Sequence, residues 1–244
     1  MSNNNIKKIV KDRYKEIAVG GSFCGCGCNS AKSISKQIGY SDEELKIVGE
    51  ANLGLGCGNP LAHGKIKAGD IVLDLGSGAG IDAILAAKKV GSKGKVIGVD
   101  MTQEMIDKAK ENARKQNITN AEFLLGEIEN LPLKDNTVDT IITNCVINLT
   151  PDKAKTFSEA YRVLKPGGKI YLSDIVLLEE LSEEQRNNKD LISGCVAGAL
   201  LRDDYLTKIK NAGFQVRVLY ENKEISKQQY NGIALESIMV ELTK

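Results

Sequence analysis

Residues 3 to 18 carry Ile6, Ile9, Val10 and Ile17 at helical spacing with lysines between them, so the chain is predicted to open on an amphipathic helix that ends before Gly20-Gly21. Ser41-Asp42-Glu43-Glu44 predicts a second helix that starts on a capping box, with the Ser41 hydroxyl and the Glu44 carboxylate meeting backbone donors left unpaired at a helix start. Gly54 and Gly56 are expected to stop it. From residue 70 the pattern changes. Short apolar runs at 71–75, 96–99, 121–125, 138–143 and 169–173 alternate with helical stretches, the mark of a parallel sheet covered on both faces. Thr102 is placed to cap the helix after the second strand, and Lys165-Pro166-Gly167-Gly168 to turn into the fifth. Helices are expected at 182–195 and 203–212, the latter closed by Gly213. Strands at 215–220 and 233–242 then form an antiparallel pair at one sheet edge.

The fold class is therefore α/β, with an N-terminal helical and cysteine-rich segment over 1–64, the main sheet domain over 65–175, and C-terminal helices and sheet-completing strands over 176–244. The chain has 244 residues, which suits one main core with appended segments. Its 42% apolar and 27% charged content is ordinary for a soluble protein, and a formal charge of +1 supplies no field that would recruit nucleic acid. No apolar run approaches the roughly 20 residues of a membrane helix, and the N-terminus lacks the apolar centre of a signal peptide. The expectation is a cytoplasmic monomer. In that compartment six cysteines point to metal, metalloid or redox chemistry more than to permanent disulfides.

Chemistry enters at Asp74-Leu75-Gly76-Ser77-Gly78-Ala79-Gly80, where a strand runs into glycines and then a helix. Glycine removes the side chain that would keep a ligand away from the backbone. A dinucleotide site wants another glycine one position later, beneath a pyrophosphate, and this chain has Ile81 there. About 20 residues beyond the loop, Asp100 ends the second strand at the spacing of a ribose-binding acid.

With those residues in place, the chain resembles the class I S-adenosylmethionine methyltransferases over roughly residues 65 to 175. The likeness lies in VLDLGSGAG (72–80), VIGVDMT (96–102), GEIENLPLKDNTVD (126–139) and RVLKPGGK (162–169). It implies a Rossmann-like, mostly parallel sheet with an antiparallel edge strand, and S-adenosylmethionine as methyl donor. By the same resemblance Asp74, Gly76, Ser77 and Gly78 hold the methionyl part, Asp100 the ribose, and Met101 one face of the adenine. Glu127 and Ile128 face the adenine amine and its other side, and Asn144 lies beside the sulfonium.

The acceptor is argued from cysteines. Cys145 follows the fourth strand at the carboxyl edge, where open α/β sheets place their ligands. Cys57 lies in Gly54-Leu55-Gly56-Cys57-Gly58-Asn59-Pro60 and Cys195 in Ser193-Gly194-Cys195-Val196-Ala197-Gly198. Each taken alone is more often a small buried hydrophobe. Three thiolates together select a soft, thiophilic centre. Zinc would want a fourth ligand, for which the single histidine, His63, is near in sequence.

The set resembles the arsenite methyltransferases over nearly the whole chain. That resemblance implies trivalent arsenic, as arsenite or methylarsenite, bound by Cys57, Cys145 and Cys195. It further implies that Cys24, Cys26 or Cys28 serves as a redox thiol, reset by thioredoxin or glutathione as reductant. Two other readings stay open: a methyltransferase for a small organic acceptor, and a thiol-based metalloid binder without turnover.

Overall fold

The computed structural model describes residues 1–20 and 31–244, so Cys24, Cys26 and Cys28 lie outside the described residues. A seven-stranded sheet runs in the order β3-β2-β1-β4-β5-β7-β6, from β1 (Ile71–Leu75), β2 (Lys95–Asp100), β3 (Ala121–Leu125), β4 (Val138–Asn144), β5 (Leu164–Leu177), β6 (Gln215–Asn222) and β7 (Leu235–Thr243). β1 pairs in parallel with β2 and β4, whereas β7 runs antiparallel to both β5 and β6. The expected antiparallel pair is present, with the last strand inserted between its partner and the rest of the sheet.

Alternation along β1 feeds two cores. Val72 packs with Ile84 and Ala86 of the helix after β1, while Leu73 and Leu75 pack with Phe157 and Tyr205 on the other face. Each such fully buried side chain contributes on the order of 1.5–3 kcal/mol. Asp74 shares the face of Val72, so a carboxylate interrupts an apolar layer at the carboxyl end of the strand.

In chain order the helices are α1 (Asn3–Ala18), α2 (Ala31–Gln37), α3 (Asp42–Val48), α4 (Pro60–His63), α5 (Ile81–Val90) and α6 (Gln103–Lys115). They continue with α7 (Lys153–Val163), α8 (Glu183–Asn187), α9 (Lys189–Ser193), α10 (Arg202–Asn211) and α11 (Ile225–Gln229). Among the described residues no helix is long and apolar enough to cross a membrane.

Four local expectations are corrected. The helix expected over 182–195 is split, because the Asn188 side chain accepts from the Asp190 and Leu191 amides at 2.9 and 3.0 Å and caps α9 afresh. Cys195 consequently sits beyond the helix end. α3 stops at Gly49, which takes φ +53°, well before Gly54. Thr102 holds the capping position of α6 with no capping bond from its hydroxyl; its own amide is taken by Asp100. Residues 165–168 are absorbed inside β5, where the pairing with β4 jumps from Val138–Leu164 to Thr140–Lys169.

Candidate active site

The loop between β1 and α5 is shaped by contacts that only glycine permits. Gly76 has φ +69°, and a Cβ there would stand 2.2 Å from a Val146 methyl. Its amide and that of Ser77 both donate to the Val99 carbonyl, at 2.8 and 3.0 Å, which folds the loop back over β2. Gly98 leaves room beneath, since a Cβ at that position would meet Ser77 Oγ at 2.8 Å. Asp100 then fastens the loop, accepting from the Gly78 amide at 3.0 Å and the Thr102 amide at 2.9 Å.

Gly76, Ser77, Gly78 and Asp100 line a cavity with Asp74, Asp82, Met101, Glu127, Ile128 and Asn144. Asp74 is buried and its Oδ2 has no hydrogen-bond partner. Burial first, then the neighbouring charges of Asp82 and Asp100, push its carboxyl well above the usual carboxylate range. Burial likewise raises Asp82 to about 6, against bonds from Tyr40 and Asn144 that favour its ionised form. A wall with three buried carboxyls favours a cationic ligand, whose charge would offset the desolvation they bear. S-adenosylmethionine carries a sulfonium and an ammonium, so the residues present fit it, and the free Asp74 oxygen is an acceptor awaiting a donor. Glu127 is bonded at 2.7 Å to Lys7.

α1 forms a roof that the sequence did not announce. Its Lys7, Val10 and Tyr14 line the same cavity. Lys15 pairs with Glu104 at 2.9 Å and Lys108 donates to the Ala18 carbonyl at 3.2 Å, which ties the helix down to α6. The amphipathic spacing predicted the helix, but periodicity does not say what an apolar face covers.

At the carboxyl end of β4 the chain brings Cys57, Cys145 and Cys195 together. All are free and buried. The Cys57 sulfur, the Cys145 sulfur and an oxygen of Asp174 lie within 4.8 Å of one another. The Cys195 thiol donates to the Cys145 carbonyl at 2.8 Å. Tyr230 Oη stands 4.0 Å from the Cys145 sulfur, and Ser173 Oγ 3.9 Å from that of Cys57. The neighbouring Cys195 and Cys57 side chains hold Cys145 well below the usual thiol range. Burial together with Cys145 drives Cys57 up, and Cys145 together with burial drives Cys195 up, so the first negative charge of the cluster rests on Cys145. Of the three, Cys145 also lines the acid-lined cavity.

His63 does not join the thiols as a ligand; it is exposed on α4 and stacks on Tyr220 with ring centroids 6.4 Å apart. Asp174 stands beside them instead. Its oxygens accept from Asn148 and Tyr205, each at 2.9 Å, and burial, then the Cys145 charge, pushes its carboxyl well up. The signal for it was present as an acid directly after the apolar run at 169–173, within what the structure shows as β5. Tyr40 and Asp82 were missed as well, since their 2.7 Å bond joins residues 42 apart in sequence.

Comparison with known proteins agrees with this architecture. Residues 66–213 match the family model of a methyltransferase domain. The arsenite methyltransferase of Halobacterium salinarum is 44% identical over 223 residues, covering 86% of this chain and 57% of that protein. The human arsenite methyltransferase is 40% identical over 152 residues, 59% of this chain and 40% of its own length. The chain thus spans about half the length of the curated relatives it matches. Among solved structures, an arsenic(III) S-adenosylmethionine methyltransferase from Chlamydomonas reinhardtii superposes with a TM-score of 0.68 at 35% identity, over 90% of this chain and 75% of that one. Phosphoethanolamine N-methyltransferase 2 of Haemonchus contortus, solved with S-adenosyl-L-methionine, shares the fold at a TM-score of 0.68 and 22% identity, over 89% of this chain and 60% of that one. With the family model matched over most of the sheet and a structure of this identity covered to three quarters, the chain belongs to the S-adenosylmethionine-dependent methyltransferases, among the arsenite methyltransferases.

Proposed function

We propose that this chain transfers a methyl group from S-adenosylmethionine to trivalent arsenic held by Cys57, Cys145 and Cys195. The observation that carries the proposal is the convergence of three buried thiols beside an acid-lined cavity, with Cys145 belonging both to the cluster and to the cavity wall.

In this reading Asp74 and the amides of Gly76, Ser77 and Gly78 hold the methionyl part, Asp100 the ribose, and Met101 and Ile128 the two faces of the adenine. Glu127 reaches the adenine amine on release from Lys7, and Asn144 flanks the sulfonium. The bound donor supplies an electrophilic methyl carbon with a neutral thioether as leaving group. Three thiols displace three hydroxides from arsenous acid, each thiol proton leaving with a hydroxide as water. The arsenic lone pair, directed away from the sulfurs, takes the methyl group. No general base is required, and the protein contributes orientation and effective concentration.

Methylation takes arsenic to the pentavalent state. Its return to trivalency needs two electrons, which a second thiolate supplies by attacking an arsenic-bound sulfur and closing a disulfide while the bonding pair stays on arsenic. We assign that thiolate to Cys24, Cys26 or Cys28, with thioredoxin or glutathione as reductant, and place the chain as a monomer in the cytoplasm, where it detoxifies arsenic.

The test is incubation with arsenite, S-adenosylmethionine and a thiol, with methylated arsenic separated and counted by mass spectrometry. The wild-type chain is expected to form it and Cys145→Ser to lose it. Equal rates in the two, or methylation of a carbon, nitrogen or oxygen acceptor with no dependence on arsenic, would overturn the assignment.

A further inference from the structure

The thiol cluster stands between two cavities of different chemical character. Cys145 belongs to the donor cavity, whereas Cys57 lines a separate space of about 260 Å³. Around that space are Gln37, Asn59, Ser173, Asn222 and Ser237, all uncharged hydrogen-bonding side chains. Among the described residues that line it there is no Asp, Glu, Lys or Arg. The donor cavity by contrast carries Asp74, Asp82, Asp100, Glu127 and Glu129 against one cation, Lys7, which pairs with the two glutamates and leaves an excess of acids. Gly58 keeps Cys57 close against β5, because a Cβ there would stand 2.0 Å from Ser173 Oγ.

The two substrates of the proposed reaction differ in the same way. The methyl donor is a cation at its sulfonium. Arsenous acid at neutral pH is an uncharged molecule with three hydroxyls. An acid-lined cavity concentrates the first, whereas a neutral polyol gains nothing from that field and is solvated well by amides and hydroxyls.

We propose that the uncharged cavity is the route by which neutral arsenous acid reaches Cys57, separate from the route of the methyl donor. This inference rests on the function proposed above. At its end the Cys57 sulfur forms a bond to arsenic as one As–O bond breaks, and the thiol proton leaves with that hydroxide as water, without change of oxidation state. Ser173 Oγ, 3.9 Å from the sulfur, is placed to accept a hydrogen bond from the arriving hydroxyls. His63 and Tyr220, stacked and both exposed, also line this cavity, on the surface side of the buried Cys57.

The chain contains no tryptophan, and Ala62 is an exposed residue that lines this cavity, so Ala62→Trp narrows it with a bulky side chain anchored at the surface. Arsenite capture is followed by stopped-flow absorbance of the arsenic–thiolate bond, and donor affinity by calorimetry. Ala62→Trp is expected to slow capture roughly tenfold, with the arsenic bound per chain at equilibrium and the donor affinity both unchanged. Leu55→Trp, which fills the donor cavity, should do the reverse. If Ala62→Trp fails to fold by circular dichroism, Asn222→Trp takes its place. Capture at the wild-type rate in the folded variant, or slowing by Leu55→Trp alone, overturns the separate route and leaves the function standing. Absence of capture by the wild-type chain overturns both.

Discussion

Asn144 holds Cys57 by its backbone: Oδ1 accepts from the Cys57 amide at 3.1 Å while Nδ2 donates to the Gly58 carbonyl at 2.7 Å. The same amide group donates to Tyr40 Oη at 3.1 Å, and Tyr40 in turn donates to Asp82 at 2.7 Å. The last residue of β4 therefore joins the floor of the donor cavity to the segment that carries a thiol. Asn144→Ala is expected to weaken arsenite binding about 10–100-fold, as loss of supporting contacts does at metal sites, while all three thiols remain. Titration of bound arsenic against total arsenite checks it, and unchanged affinity would remove Asn144 from the acceptor site.

The thiolate on Cys145 depends on its neighbours. Cys57→Ala or Cys195→Ala takes away a thiol that stabilises the anion, so the first thiol ionisation should move up toward the ordinary range. Thiolate absorbance in the ultraviolet, recorded against pH, follows this directly. The first ionisation should fall at lower pH in the wild-type chain than in either alanine variant.

Asp82 makes stability depend on pH with a definite sign. Its carboxyl ionises at about 6 in the fold against 3.8 when free, so the folded chain binds the extra proton between those values. Stability is thus fullest below pH 3.8 as far as this group goes, falls as pH rises toward 6, and is level above it, by about 3 kcal/mol in all. Asp82→Asn should flatten that slope and raise the melting temperature at pH 8 relative to pH 4, as read by thermal denaturation across the range. A variant with the wild-type slope would place the ionisation elsewhere.

Asp100 accepts from two backbone amides, that of Gly78 in the glycine loop and that of Thr102 just after β2. In Asp100→Ala both lose their acceptor, each charge-assisted bond being worth about 1.5–3 kcal/mol. Donor affinity should fall by at least tenfold in calorimetry, with arsenite capture close to wild type. The reverse pattern would mean that the loop serves the acceptor.

Much of this was legible in sequence because it is local. The glycine loop and Asp100 belong to one βαβ unit, and all seven strands follow from short apolar runs. The thiols were legible as glycine-flanked motifs, although nothing in their spacing of 88 and 50 positions brings them together. Their adjacency comes from the order of strands. Asp174, Tyr40 and the roof of α1 were missed for the same reason: each acts through contacts between distant segments. The break at Asn188 was missed because an asparagine that caps a new helix looks, along the chain, like one within a longer helix.

Cys145 and Cys195 have φ of +57° and +67°, in the left-handed region where a side chain is disfavoured by roughly 1–2 kcal/mol. Replacing Cys195 by glycine should therefore leave a more stable protein than replacing it by alanine, the opposite of the order found in a helix or strand, and chemical denaturation of the two variants decides it. The thiols are presented on backbone that stability alone would hand to glycine or asparagine. A thermostability screen run without an arsenic assay should accordingly discard these cysteines among its first gains, and robustness and capture would have to be selected together.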